Sequence, residues 1–157
     1  NKFVRVMPNM PALIGQGMNC IFTNKNLNKS DIIEVEKLFK LTGKTLFFQS
    51  EKNIDMATAV SGSGPGFVFN LIDAMEKASV KLGFNKKDAK LLVAQTFKGS
   101  IELLAKSELD SESLVSTVST KGGTTEAGLN VMKKHKIHDI FIKLIKTSYN
   151  RAKQQGK

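Results

Sequence analysis

The chain has 157 residues, of which 41% are hydrophobic and 24% are charged, so it is long enough for one core and short for two. Its apolar runs fall far below the ~20 residues that cross a bilayer, so we expect no membrane partner. The net charge of +10 is spread along the chain, and with one Tyr and no Trp available for stacking we expect no nucleic-acid partner.

Cysteine, histidine and the N-terminal sequence bear on location and metal binding. Cys20 is the single cysteine and cannot form an internal disulfide, so we expect a reducing, cytoplasmic location. His135 and His138 have no neighbouring cysteine or carboxylate cluster, so we expect no metal site. Nothing at the start resembles a signal peptide. The first residue is Asn rather than Met and a strand-like segment begins at once, which suggests part of a longer protein.

The first fifty residues alternate strand and helix patterns. We predict a strand over 3–7, a rigid loop over 9–11, a strand over 17–23, a helix from an N-cap at Ser30 to a left-handed Gly43, and a strand over 45–48. Three short strands leave an edge and a face uncovered. Residues 1–52 are therefore predicted to be the C-terminal remnant of a larger α/β domain.

From residue 53 to residue 157 the apolar spacing is helical. We predict a helix from Pro65 to Gly83, a helix capped by Asn85 that runs to 104, a short helix over 114–118, and a helix over 137–152 with a frayed tail at 153–157. The first of these is apolar on two sides, as in a helix that is central in a bundle or lies between subunits. Gly99, inside the second, predicts close helix packing there.

Two glycine-rich turns precede helices, at Ser61–Phe67 and at Ser119–Leu129. Backbone N–H groups at a helix start lack internal partners and can bind a carboxylate or phosphate. Adjacent Gly122 and Gly123 let the main chain approach such a ligand. The alternative is an ordinary Gly-Gly turn with Thr124 as the helix N-cap.

Three motifs together resemble the pyrroline-5-carboxylate reductase family: Met7-Pro8-Asn9-Met10-Pro11-Ala12, the stretch from Thr58 to Phe67, and the stretch from Ser119 to Leu129. The resemblance covers essentially the whole chain, although the family's N-terminal glycine-rich dinucleotide fingerprint has no counterpart. It implies a mainly α fold class, in which the closing strands and helix of a Rossmann-like domain precede a helical dimerisation domain at 53–157. A homodimer is expected, and larger assemblies stay open.

The resemblance also implies a reaction. In this family NADPH or NADH reduces 1-pyrroline-5-carboxylate to L-proline by hydride transfer to the imine carbon, so positioning carries most of the catalysis. The pocket combines one protomer's nucleotide domain with the other's helical domain, so residues 1–157 alone are expected to dimerise without turnover. The residues that distinguish the two coenzymes have no counterpart here, so that choice stays open.

The family's carboxylate site corresponds to the second glycine-rich turn. Gly122, Gly123, Thr124 and Thr125 would bind the substrate carboxylate through backbone N–H groups and the Thr125 hydroxyl. Thr120 stands where relatives often have serine and would contribute its hydroxyl. Lys121 replaces a frequent proline, which loosens the loop but adds a cation, and the net effect stays open.

Two residues are candidates for managing the proton at the ring nitrogen. Thr58 matches a threonine near the pyrroline ring, with a hydroxyl that caps the following turn as the alternative. Glu108 lies twelve residues before Thr120, where relatives place a glutamate, with a solvated helix-end carboxylate as the alternative.

The resemblance also implies roles for residues in the floor of the pocket and beside the cofactor. Ser63 would shape the floor of the pocket. Pro8 and Asn9, at the carboxyl end of a strand, would lie beside the nicotinamide. Met10 replaces a frequent threonine, so a hydroxyl contact there is lost.

Two other functions are consistent with parts of the sequence. A related two-domain reductase would act on another imine or on a keto acid. A non-catalytic basic helical module would bind nucleic acid, with an affinity that falls steeply as salt is added.

Overall fold

A computed structural model describes residues 1–155, which are mostly helical with one three-stranded sheet. Contacts within the chain form two compact units. The sheet unit comprises residues 1–68 and those from 142 onward, and the helical unit comprises 69–141. These units are defined by contacts within a single chain and do not test the predicted domain boundary between residues 52 and 53. That boundary stays a prediction.

The sheet confirms the three predicted strands. Strands β1 (Val4–Met7), β2 (Gly17–Thr23) and β3 (Gly43–Phe48) lie in the order β1-β2-β3. β1 is antiparallel to β2, with Met7 opposite Cys20, and β2 is parallel to β3, with Cys20 opposite Leu46. Helix α1 (Lys29–Lys40) connects the parallel pair, as such a pair requires.

Three local predictions in this part were wrong. Residues Met10–Ile14 form a 3₁₀ helix where a rigid loop was expected, because Pro11 suits the first helical turn. The N-cap of α1 is Asn28, whose side chain forms a capping box with Asp31, and Ser30 is already helical. Gly43 begins β3 with φ +141° instead of ending α1 in the left-handed helical conformation.

The core of the sheet unit lies between the sheet and α2 (Lys52–Ala57), a helix that the sequence analysis did not assign. Cys20, Ile54 and Ala57 are buried together, with Met7, Met18, Phe22 and Phe48 packed around them. Arg5 on β1 also pairs with Glu51 and Asp55, at 3.2 and 3.1 Å. A π-helical turn, Thr58–Gly62, follows α2 directly and leads to α3 (Gly64–Lys81).

The remaining elements are helices, as predicted: α4 (Lys86–Lys106), α5 (Ser111–Val118), α6 (Thr124–Lys134) and α7 (Ile137–Gln155). The Asn85 side chain caps α4, and Gly83 has φ +114° just after α3. A Cβ at Gly99 would meet nothing within 4 Å, so the predicted close packing is wrong within one chain. The predicted fraying is wrong for 153–155, which are helical, and 156–157 lie outside the described residues.

The helical unit buries little apolar surface by itself. Its fully buried hydrophobic residues, within the described chain, are Ala89 and Val93 on α4. Large exposed side chains include Phe69, Leu71, Met75, Leu91, Ile101, Leu103, Val115, Val118, Val131 and Met132. None of the described helices combines the length and apolar composition required to cross a bilayer.

Candidate functional site

A cleft of about 310 Å³ in the sheet unit brings together two residues that the sequence analysis proposed, Thr58 and Ser63. The rest of its lining comes from the end of α7: Thr147, Ser148, Arg151, Ala152 and Gln155. The cleft therefore combines four hydroxyl groups and one amide with one permanent positive charge.

Thr58 is the first residue of the π-helical turn, and its hydroxyl already has a partner. The Oγ1 atom donates to the carbonyl of Ile54 at 2.8 Å, one turn earlier in the chain. The hydroxyl therefore does not cap the following turn, which was the alternative role. Its oxygen keeps lone pairs that can accept a hydrogen bond from a protonated group in the cleft.

The π-helical turn packs directly against the sheet. The backbone N–H of Ser63 donates to the carbonyl of Thr58 at 2.8 Å, five residues earlier. A Cβ at Gly62 would lie 2.7 Å from Cε of Met7, so glycine permits this approach to β1. The Ser61 hydroxyl donates to the Ala57 carbonyl at 3.0 Å. These contacts fix the backbone that carries Thr58 and Ser63.

Pro8 and Asn9 follow β1 and lie beside this turn. Nδ2 of Asn9 donates to the carbonyl of Ser61 at 3.1 Å, and Oδ1 of Asn9 accepts from the N–H of Met18 at 2.8 Å. Pro8 is exposed. The structure thus joins the predicted cofactor loop to the turn that carries Thr58 and Ser63, within the sheet unit.

Arg151 is a residue of the cleft that the sequence analysis missed. It lies some ninety residues after Ser63 in the sequence. The spacing of apolar residues along α7 does not indicate that Arg151 lines the same cleft as Ser63. The sequence did carry one signal, the rarity of arginine: two of its 24 basic residues are arginines. The other arginine, Arg5, makes two ion pairs. Nη1 of Arg151 donates a hydrogen bond to Oε1 of Gln154 at 3.2 Å.

The second glycine-rich turn, in the helical unit, has a backbone that requires both glycines. Gly122 has φ +74°, in the left-handed region. Gly123 is the N-cap of α6 and donates to the Thr120 carbonyl at 2.9 Å, and a Cβ there would lie 2.6 Å from Oγ1 of Thr120. Thr124 is already the first helical residue, so its alternative role as N-cap was wrong.

This turn leaves backbone donors available for an anion. The N–H groups of Thr124 and Thr125 belong to the first turn of α6 and have no partner among the described hydrogen bonds. Both threonines are exposed. The N–H of Gly122, in contrast, donates to Oε2 of Glu126 at 2.7 Å. The predicted carboxylate site is therefore open at Thr124 and Thr125 and internally paired at Gly122.

Glu108 lies in the exposed connection between α4 and α5. Its carboxylate takes part in none of the described hydrogen bonds, whereas its neighbour Leu109 donates its N–H to the Ser107 hydroxyl at 3.0 Å. Asp110 caps α5, and hydrogen bonds from the backbone and then the side chain of Ser113 hold the pKa of its carboxyl below the usual value of 3.8. Residues 1–155 contain no cluster of metal-ligating side chains.

Comparison with known proteins identifies relatives along the whole chain. The sequence model of a family described as pyrroline-5-carboxylate reductase dimerisation matches residues 51–155. The chain is 35% identical to pyrroline-5-carboxylate reductase 2 of Bacillus subtilis, with 95% of this chain and 53% of the relative covered. It is also 35% identical to pyrroline-5-carboxylate reductase of Aquifex aeolicus, with 98% and 57% covered. The chain thus spans about half the length of these relatives.

Solved structures agree with the sequence comparison. A pyrroline-5-carboxylate reductase from Coxiella burnetii superposes with a TM-score of 0.94 at 32% identity, over 98% of this chain and 57% of that one. Pyrroline carboxylate reductase of Plasmodium falciparum, solved with NADP bound, gives a TM-score of 0.94 at 35% identity, over 100% of this chain and 60% of that one. The match over residues 51–155 covers more than half of the sequence, and the chain therefore belongs to the pyrroline-5-carboxylate reductase dimerisation family.

Proposed function

We propose that this chain contributes the substrate-binding and dimer-forming part of a pyrroline-5-carboxylate reductase, which converts 1-pyrroline-5-carboxylate to L-proline with NADPH or NADH. The observation that carries this proposal is the Gly122–Gly123 turn, with free N–H groups at Thr124 and Thr125 in a chain of this family. The substrate is an anion, and the start of α6 offers it donors and a favourable dipole.

The proposed roles in the site divide between two groups of residues. The backbone at Gly122, Gly123, Thr124 and Thr125, together with the Thr125 hydroxyl, binds the substrate carboxylate. Thr120 holds Gly123 in place and presents its hydroxyl at the same turn. The exposed Lys121 adds attraction for an anion.

The second group manages the reacting ring. NADPH or NADH, when bound, would supply a hydride from C4 of the nicotinamide, and the exposed Pro8 with the adjacent Asn9, at the end of β1, would hold that ring. Thr58 holds the ring nitrogen in its protonated form, which makes the imine carbon a better hydride acceptor. Ser63 lines the same cleft, and Glu108 is the second candidate for handling the proton.

The sheet unit supports the proposal of a Rossmann-like domain. β2, α1 and β3 form a strand–helix–strand unit whose two strands are parallel and adjacent. Such a unit is the repeating element of nucleotide-binding α/β domains. We therefore assign residues 1–52 to the closing part of that domain, and the buried free thiol of Cys20 is compatible with a cytoplasmic location.

The helical unit supports the proposal of a homodimer. Side chains such as Phe69, Ile101 and Leu103 are more than half exposed in the single chain. Apolar surface of this extent is typical of a protein interface. A second copy of the helical unit would cover it, and assemblies larger than the dimer stay open.

The reaction is tested in the full-length protein by mixing it with 1-pyrroline-5-carboxylate and NADPH and following the loss of reduced coenzyme by absorbance. We expect turnover by the wild type, and a KM for the substrate that rises at least about tenfold in Thr125→Ala, because one hydrogen bond to a charged group is lost. Thr96→Ala is the matched control, since that exposed hydroxyl bonds the Leu92 carbonyl within α4.

Two results would reject the proposal. Turnover of another imine or of a keto acid, with none of 1-pyrroline-5-carboxylate, would assign the protein to a related reductase. An equal KM in Thr125→Ala and Thr96→Ala would remove the carboxylate site from the Gly-Gly turn.

A further inference from the structure

The helix that follows α2 is interrupted at a specific carbonyl group. In an α-helix the Ser61 carbonyl would accept the N–H of residue 65, but that residue is proline and has no N–H. The next backbone donor, Gly66, bonds the Ser63 carbonyl at 3.0 Å instead. Pro65 therefore leaves the Ser61 carbonyl without a partner from its own helix.

Asn9 supplies the missing donor from a different part of the chain. Its Nδ2 group lies 3.1 Å from the Ser61 carbonyl oxygen, and the contact is partly buried. A half-buried carbonyl without a partner would be costly, because it has lost its hydrogen bonds to water. The side chain of Asn9 thus takes the place of the N–H that Pro65 lacks.

The other end of the Asn9 amide repairs a second interruption. The register of β1 and β2 pairs Val4 with Thr23 and Met7 with Cys20, and its continuation places Asn9 opposite Met18. β1 ends at Met7, before Pro8, so the Met18 N–H extends beyond the paired strands. Oδ1 of Asn9 accepts that N–H at 2.8 Å.

We propose that Asn9 is a positioning residue that joins the loop after β1 to the π-helical turn and so fixes Pro8 relative to Thr58 and Ser63. One amide satisfies both the Met18 N–H beyond the end of β1 and the Ser61 carbonyl that Pro65 leaves open. With both ends used, the side chain has one N–H hydrogen and one lone pair left, so its main task is to hold the site in place. The effect that we predict on kinetics rests on the proposed reductase function. The replacement of the missing Pro65 N–H by the Asn9 side chain does not rest on it.

A double-mutant cycle in the full-length protein tests whether the Asn9 side chain replaces the N–H that Pro65 lacks. Asn9→Ala should lower Tm by at least about 2–4 °C, because both side-chain hydrogen bonds are lost and the Ser61 carbonyl and the Met18 N–H are stranded. In a Pro65→Ala background, residue 65 regains its N–H, and the backbone at Ser63 is close to helical, with φ −81° and ψ −20°. Asn9→Ala should therefore lower Tm by less in that background, where the main remaining loss is the hydrogen bond to the Met18 N–H. Equal losses of Tm in both backgrounds would overturn the proposal.

Kinetics separate a positioning residue from a cofactor contact. Asn9→Ala should lower kcat at least about tenfold with little change in the coenzyme KM, because misplacing the site impairs hydride transfer more than binding. Pro65→Ala should restore part of that loss. A raised coenzyme KM with unchanged kcat, and no recovery with Pro65→Ala, would make Asn9 a cofactor ligand and overturn the proposal.

Asn9→Asp keeps the test decisive if the Pro65 variants do not fold. The carboxylate still accepts from Met18 but places a second oxygen against the Ser61 carbonyl. Its kcat and Tm should fall as far as those of Asn9→Ala, and wild-type values would overturn the proposal. If the wild type lacks reductase activity, the proposed function fails, while the Tm measurements still decide the role of Asn9.

Discussion

Glu126 holds Gly122 across the start of α6: its Oε2 atom accepts the Gly122 N–H at 2.7 Å. The bond ties the third residue of the helix to the residue before the N-cap, whereas the acidic partner of a capping box bonds the N-cap itself. It also places a carboxylate next to the proposed site for the substrate carboxylate. The two effects, ordering and repulsion, are separable by mutation.

Glu126→Gln retains an oxygen acceptor and removes the negative charge, whereas Glu126→Ala removes both. We expect the substrate KM to stay level or fall in the glutamine variant and to rise about threefold to tenfold in the alanine variant, because losing the tether disorders the turn. Steady-state kinetics with varied substrate measures both values. The same KM in the two variants would show that the hydrogen bond does not order the site.

The proton at the ring nitrogen is assigned by variants of Thr58. Thr58→Val keeps the shape of the side chain without its hydroxyl and should lower kcat by about 10–100-fold, because the protonated ring nitrogen loses one charge-assisted hydrogen bond. Thr58→Ser should keep most of the activity. Rapid-mixing measurements of coenzyme oxidation would show whether the chemical step is affected. A large fall in Glu108→Gln with none in Thr58→Val would assign the proton to Glu108.

Gly17 and Gly43 lie opposite each other at the start of β2 and β3. We predict that Gly43 does not tolerate replacement by alanine. A Cβ at Gly43 would lie 2.0 Å from the Gly17 carbonyl oxygen, and its φ of +141° is strained for other residues. Gly43→Ala should therefore lower the free energy of unfolding by about 3 kcal/mol or more. The control is Gly128→Ala in α6, where a Cβ meets nothing within 4 Å and a gain of about 0.5–1 kcal/mol is expected. Urea denaturation measures both, and a neutral Gly43→Ala would contradict the backbone contact.

Asp110 predicts part of the acid sensitivity of α5. Its pKa is lowered in the folded chain by the Ser113 hydrogen bonds, so its stabilisation is present above pH 3.8 and is lost as the pH falls through the lowered folded-state pKa. Asparagine caps helices equally well and does not titrate. Asp110→Asn should match the wild-type Tm at pH 7 and lose less Tm on acidification to pH ~3. Glu102→Gln, at an exposed position inside α4, is the control, and parallel losses in Asp110→Asn and wild type would contradict this prediction.

Dimer formation is tested with the exposed apolar face of α4. Ile101 is 64% exposed in the single chain, and Ile101→Glu would place a charge in the proposed interface. We expect the dissociation constant of the dimer to rise at least about 100-fold, measured by analytical ultracentrifugation of residues 1–157. Lys98→Glu adds the same side chain to α4 without removing apolar surface. Equal sedimentation of the two variants would exclude Ile101 from the interface.

Local signals in the sequence predicted much of the fold. Residues 17–23 were predicted as a strand with the bounds that β2 has, and Asn85 with Asp88 marked the start of α4, because each signal lies in neighbouring residues. The π-helical turn was missed because its stability depends on Asn9, more than fifty residues away, as well as on Pro65. The capping of α1 was misplaced by two residues because Asn28 and Ser30 are both good N-caps.

The candidate site likewise contains one part that local sequence predicted and one part that required the structure. The Gly122–Gly123 turn was recognised because its function is encoded in consecutive residues. Arg151 was missed because its approach to Thr58 and Ser63 depends on how α7 packs within the sheet unit, which no spacing along the helix indicates. Residues joined by distant packing therefore require the structure, whereas turns and caps do not.

Cys20 gives this protein a built-in reporter of local opening. It is the sole thiol in the chain, it is 3% exposed, and its sulfur lies 3.5 Å from the Ser61 hydroxyl. A thiol reagent can therefore modify it only when β2 separates from the elements that cover it, among them α2 and the π-helical turn. The rate of labelling under native conditions measures how often that separation occurs, and ligands that close the site should slow it.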